Sequence, residues 1–257
     1  MNFQHLQLQI DEGIAVVTLN RAPVNAQNAE LRGEIIECFD TLSDMAEVAA
    51  IVITGAGKTF SAGADIRERP NLGDTPGAYG RHNRLTRECT NAMVECAKPI
   101  IAAINGPALG AGFGLVLGSD IWVASESAYV SMPEINVGLA GGATFLQKHF
   151  SQSRARRMFF TGMQVSAQEL YRLGLIEACL PPDELMPYAM GIAREIASKS
   201  PIAMRLAKEA ARMTLHMPTR EAYRYEQGNT VALSKTEDAR EAQKAFLEKR
   251  KPVYQGR

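Results

Sequence analysis

Three short β-branched runs constrain how this chain can fold. They are "GIAVVTLN" (13–20), "AAIVITG" (49–55) and "KPIIAAING" (98–106), and each is bounded by turn residues. Runs of this length and make-up read as buried strands. Between the first two, apolar residues recur at Leu31, Ile35, Phe39, Leu42 and Met45, which is helical spacing. Between the second and third, "RHNRLTRECTNAMVECA" (81–97) sets Leu85, Cys89 and Met93 at four-residue steps. Strand–helix alternation of this kind predicts an α/β fold. A helix opening on glycine in "GAGFGLVLGSD" and a strand in "DIWVAS" (120–125) continue the pattern. Residues 68–80, "ERPNLGDTPGAYG", read as a loop.

Beyond residue 150 the chain turns helical. Ser166 and Glu169 have the spacing of a capping box, Asp183 is placed to cap the next helix, and Pro201 is placed to open another. Two more amphipathic stretches run over 219–234 and 236–250. The expected organisation is an α/β core over 1–196 and a helical region over 197–257. No exact internal repeat is present, although the order of strand, glycine turn and helix recurs.

Composition excludes several classes. Of 257 residues 46% are apolar, enough for a sizeable core, and the formal net charge is zero. A balanced chain carries no electrostatic footprint for nucleic acid or an anionic membrane. Cys38, Cys89, Cys96 and Cys179 lack metal-ligand spacing and read as thiols of a reducing cytoplasm. The four histidines form no pair, so no metal is expected. The first residues have neither the basic nor the apolar region of a signal peptide, and no run approaches the ~18 apolar residues of a membrane span. A cytoplasmic protein is expected.

Two glycine-rich turns follow buried strands: "FSAGAD" (60–65) and "NGPALGAGFG" (105–114). Small residues let a ligand approach backbone N–H groups, and two such amides aimed at one point make an oxyanion hole. Tight strand–helix packing explains each turn, taken singly, at least as well. Neither matches a P-loop or a dinucleotide fingerprint, and no nucleophile elbow is present. Glu134 is the one carboxylate in "MPEINVGLAGG" (132–142). It admits two readings, a glutamate facing water at a helix start and a functional acid, and spacing alone does not choose between them.

The ordered segments "VTLNRAPVNA", "ITGAGKTFSAGADI", "KPIIAAINGPALGAGFGL", "SDIWVAS", "MPEINVGLAGG", "FFTGMQVSAQELYRLGLIE" and "AFLEKRKPVYQG" decide more. Together they resemble the crotonase superfamily, the enoyl-CoA hydratase/isomerase group, over nearly the whole chain. The resemblance implies a spiral of ββα repeats with a C-terminal helical trimerisation region, giving a homotrimer or a dimer of trimers. It implies an acyl-CoA thioester substrate and no separate cofactor, since coenzyme A is part of that substrate. The N–H groups of Ala64 and Ala111 would form the oxyanion hole, with Gly110 beside them. The Ala62 carbonyl would meet the adenine amino group. Val24, Asp65 and Ile66 would line the coenzyme path, and Phe246 and Lys249 would reach its nucleotide end, across a subunit boundary. Family members commonly carry glycine where this chain has Ala111.

Hydratases of this family resemble two-glutamate enzymes. The second glutamate matches Glu134; the first falls on Gly114, which has no side chain to hold water or pass a proton. A double-bond shift needs one base, which takes a proton from C2 and returns it to C4. The further aspartate of dienoyl-CoA isomerases falls on Gly142. Three expectations follow. A single-base isomerase is favoured. A hydratase, or a hydratase for a special acyl group, whose second acid comes from the 68–88 region with Glu68 and Glu88 as candidates, is the alternative, and a CoA- or protein-binding member without catalysis is the third.

Overall fold

A computed structural model describes residues 2–68, 72 and 74–257. The main sheet has six strands in the order β1 (Leu6–Asp11), β2 (Ile14–Leu19), β3 (Ala50–Gly55), β4 (Ile100–Ile104), β6 (Ile121–Ser125) and β9 (Ala178–Leu180). All neighbours are parallel except β1 and β2. Those two form a hairpin over Glu12 and Gly13, both at positive φ (49° and 76°), as a tight two-residue hairpin turn requires. The sequence reading missed β1: it lies at a sheet edge and alternates glutamine with leucine. A second sheet orders β5 (Ala108–Leu109), β7 (Tyr129–Ser131) and β8 (Val165–Ser166).

The central strands are buried on both faces, as parallel sheets usually are. Along β3 the side chains alternate between two cores. Ile51 and Ile53 pack with Phe39, Phe60 and Phe113, under α1 (Ala29–Asp44), α2 (Ala78–Glu95) and α3 (Ala111–Leu117). Ala50 and Val52 pack with Ile101, Ala103 and Val123 against Leu185, Ala189 and Ala193 of α7 (Pro182–Ala197). The helix α2 begins at Ala78, inside the stretch read as loop. In the chain, α4 (Ala143–His149), α5 (Gln152–Thr161) and α6 (Ala167–Arg172) precede α7.

Ser166 caps α6, accepting from the Glu169 N–H at 3.3 Å. Only half the capping box forms, because the Glu169 carboxylate goes to Arg154 and Arg172. Asp183 does not cap α7; Pro181 holds that position and Asp183 sits in the first turn, where its charge suits the helix N-terminus. Pro201 does open α8 (Pro201–Thr214), which is followed by α9 (Thr219–Leu233) and α10 (Glu237–Leu247). Lys208 ties α8 to the core, with Nζ 2.9 Å from Asp120 and 2.8 Å from the Lys98 carbonyl. Apart from such ties, α8 and α9 bury no residue within this chain.

Candidate active site

The "FSAGAD" turn lies between two flanking segments. On one side Asn25 is buried at positive φ, and its Nδ2 donates to the carbonyls of Ala56, Thr59 and Phe60. The next residues run beside the turn like a strand: the Ala62 N–H donates to the Val24 carbonyl, the Gln27 N–H to Gly63, and the Asp65 N–H to Gln27. In this parallel pairing Gln27 uses the groups of residues 63 and 65. The N–H of Ala64 therefore points away from Gln27. On the other side Ser61 pairs with Ala108, its N–H meeting the Pro107 carbonyl and its carbonyl the Leu109 N–H.

Glycine is required where these turns touch. A Cβ on Gly63 (φ +84°) would overlap the Leu109 carbonyl and stand 3.2 Å from the Ala111 nitrogen. A Cβ on Gly112 would overlap the Ser61 carbonyl. The close approach sets Ala64 and Ala111 on the wall of one cavity. Ala111 is the first residue of α3, where backbone N–H groups have no partner within the helix.

Pairing of β5 with β7 brings in the third component. Leu109 registers with Ser131, and the Gly110 N–H donates to the Ser131 carbonyl at 2.9 Å. The chain then enters a 3-10 turn, Pro133–Val137, closed by Gly138 at positive φ. This places the Glu134 carboxylate directly over Gly110: a Cβ on Gly110 would overlap Glu134 Oε1. The two motifs are thus in contact, and Glu134 faces the cavity rather than bulk water alone.

That cavity measures about 490 Å³, within the range of small-molecule sites. Ala64, Gly110, Ala111, Gly114 and Glu134 line one part of it, and Met132, Leu139 and Phe145 an apolar part. Glu134 is the only carboxylate in the wall among the described residues. At Gly114 a Cβ would meet only Thr90 Oγ1, at an ordinary 3.7 Å. A Cβ is therefore accommodated at that position without overlap.

Neither proposed second acid lines the cavity. Glu68 accepts from the Ala29 N–H at the start of α1 and lies 3.8 Å from Arg32. Glu88 is exposed beside Arg87, at 3.4 Å. Other expected residues also lie outside this cavity. Val24 and Ile66 are exposed nearby on the turn and its flanking segment, and Ala62 sits between them. Asp65 is buried and committed to Arg21 and Arg67, each at 2.9 Å; the Arg67 guanidinium above all holds its carboxyl well below the usual carboxylate range. Phe246 lies on α10 with 83% of its surface exposed, and Lys249 follows it at positive φ; both stand apart from the cavity of their own chain.

The sequence reading missed one wall. Tyr79, His82, Asn83, Thr86, Arg87 and Thr90 of α2 face the cavity. Their recurrence at steps of three and four, beside the apolar stripe of Leu85, Cys89 and Met93, was the available signal.

Comparison with known proteins identifies the family. Residues 9–257 match the family model of enoyl-CoA hydratase/isomerase, and the chain belongs to that family. It is 33% identical over 256 residues to the short-chain-enoyl-CoA hydratase of Clostridium acetobutylicum, covering 98% of this chain and 97% of that one. It is 34% identical over 267 residues to the carnitinyl-CoA dehydratase of Salmonella typhi, covering 99% of each. The crystal structure of an enoyl-CoA hydratase from Bacillus anthracis superposes with a TM-score of 0.92 at 32% identity, covering 99% of this chain and 100% of that one. The fold is that of crotonase-type enzymes, and the chain is an acyl-CoA-processing enzyme of this family.

Proposed function

We propose that the enzyme shifts the double bond of an enoyl-CoA, with Glu134 as its single base. The N–H groups of Ala64 and Ala111 hold the thioester oxygen as negative charge develops on it. Glu134 takes a proton from C2 of a 3-enoyl-CoA, and the electrons spread into the thioester as a dienolate. The protonated carboxyl then returns the proton to C4, leaving the 2-enoyl-CoA. One observation carries this reading: Glu134 is the only carboxylate in the described cavity wall, and the position where hydratases of this family keep another is Gly114. Reversible hydration is the second reading, favoured by the relatives, which are named hydratase and dehydratase.

Gly114→Glu separates the two. A Cβ fits there, with Thr90 Oγ1 the nearest neighbour at 3.7 Å, and the position lines the cavity. Hydration of crotonyl-CoA is expected to rise by about 10²-fold, the lower end of what one acid–base group supplies. A folded variant that binds substrate and shows no gain would contradict the single-base reading.

The coenzyme-binding roles expected of Val24, Ala62, Ile66, Phe246 and Lys249 belong to the same proposal. Phe246 and Lys249 reach the nucleotide only if copies of the chain associate. In support, α8 and α9 bury nothing of their own, while Leu215, Tyr223 and Val231 are 66%, 60% and 58% exposed. A homotrimer or a dimer of trimers is expected by light scattering at micromolar concentration, and a monomer would contradict this assembly.

A further inference from the structure

We propose that the α2 wall recognises an acyl group whose tail ends in a carboxylate, an inference that rests on the acyl-CoA reading of the cavity. Outside α2 the cavity lining includes the apolar side chains of Met132, Leu139 and Phe145. The α2 wall presents hydrogen-bonding side chains at every position that faces the cavity. A hydrocarbon tail would suit the first wall and strip water from the second, at a cost for each polar group left without a partner.

Two of these groups are set in advance. Thr90 is only 9% exposed. Its hydroxyl faces Gly114 at 3.7 Å from the site of a Cβ, while its methyl faces Gly118 at 3.4 Å. The rotamer therefore directs the polar atom to the cavity and the methyl to the protein. His82 is oriented by Arg32, whose fully buried guanidinium lies 3.3 Å from His82 Nδ1. A guanidinium only donates, so Nδ1 is the acceptor in this contact.

The charges favour an anion over a neutral oxygen. Arg87 stands on this wall, while Arg32 behind His82 is paired with Glu68 at 3.8 Å, and the cavity's one described acid, Glu134, sits over Gly110 at the other motif. Arg87 is 61% exposed and its contact to Glu88, at 3.4 Å, is a surface pair of the kind worth only ~0–1 kcal/mol. A substrate carboxylate can displace it and accept a charge-assisted hydrogen bond.

The test uses two saturated thioesters that cannot react, so that binding is read apart from turnover. Calorimetry compares glutaryl-CoA with valeryl-CoA on the wild-type protein, on Arg87→Gln and on Thr90→Val. The expected result is that glutaryl-CoA binds the wild type at least about 10-fold more tightly, the scale of one charged contact made in a partly shielded site. Arg87→Gln should remove most of that preference, and Thr90→Val part of it. Equal binding, or tighter binding of valeryl-CoA, overturns the inference and leaves the acyl-CoA reading intact. A preference untouched by both substitutions overturns it as well, because another wall then supplies it. If neither thioester binds, the acyl-CoA reading falls and this inference falls with it.

Discussion

Glu134→Gln is expected to lose turnover by about 10²–10⁴, the contribution of a positioned acid–base group. The amide keeps the volume of the carboxylate and its place over Gly110, where there is no room for anything but hydrogen on the facing glycine. Glutamine cannot accept a proton, so the step at C2 stops. The backbone amides of Ala64 and Ala111 do not depend on this side chain, and thioester affinity should stay within a few-fold of wild type. Calorimetry with a saturated acyl-CoA, alongside the assay, separates the two effects. Equal losses of affinity and turnover would show that Glu134 holds the site together rather than reacting in it.

Loss of one oxyanion donor is the second large effect. Ala64→Pro deletes a single N–H and leaves the turn's own hydrogen bonds in place, since Gln27 bonds to residues 63 and 65 on either side. The expected fall in activity is about 10²–10³, or roughly 3–4 kcal/mol of transition-state stabilisation. It should apply to every thioester the enzyme accepts, because the oxygen it stabilises is common to all. Circular dichroism matching wild type confirms the fold. A folded, fully active variant would remove Ala64 from the oxyanion hole.

How much of this was legible in the sequence depended on element length. The parallel strands β2, β3 and β4 and the helix α1 show periodicity over five residues or more, so they could be read directly. The contact between the two motifs could not. It depends on β5 and β7, strands of two and three residues, which are too short for any period to register. Glu134 therefore stood out as a lone acid while its seat over Gly110 stayed hidden. Gly114 was found by resemblance, and only the structure shows that a Cβ fits there.

The α2 wall was missed for a different reason. Polar residues beside an apolar helical stripe usually face water, and here they face a cavity. Nothing local distinguishes the two, because the cavity's other walls come from residues distant in the chain, such as Gln27, Ala111 and Phe145. Glu68 and Glu88 illustrate the converse error. Both lie near the right segment in sequence, yet Glu68 turns back to α1 and Glu88 turns outward. The role proposed for Phe246 and Lys249 is one that a single chain cannot display, since it requires another copy.

The central claim is that one carboxylate does the proton transfer in a cavity whose described residues include no second acid. The most direct measurement gives wild-type enzyme crotonyl-CoA and 3-hexenoyl-CoA in parallel and separates the products. The account predicts that 3-hexenoyl-CoA becomes 2-hexenoyl-CoA with a kcat/KM at least about 10²-fold above that for hydration of crotonyl-CoA, the lower end of what the missing acid–base group would contribute. Hydration of crotonyl-CoA at a rate matching or exceeding the double-bond shift would contradict it.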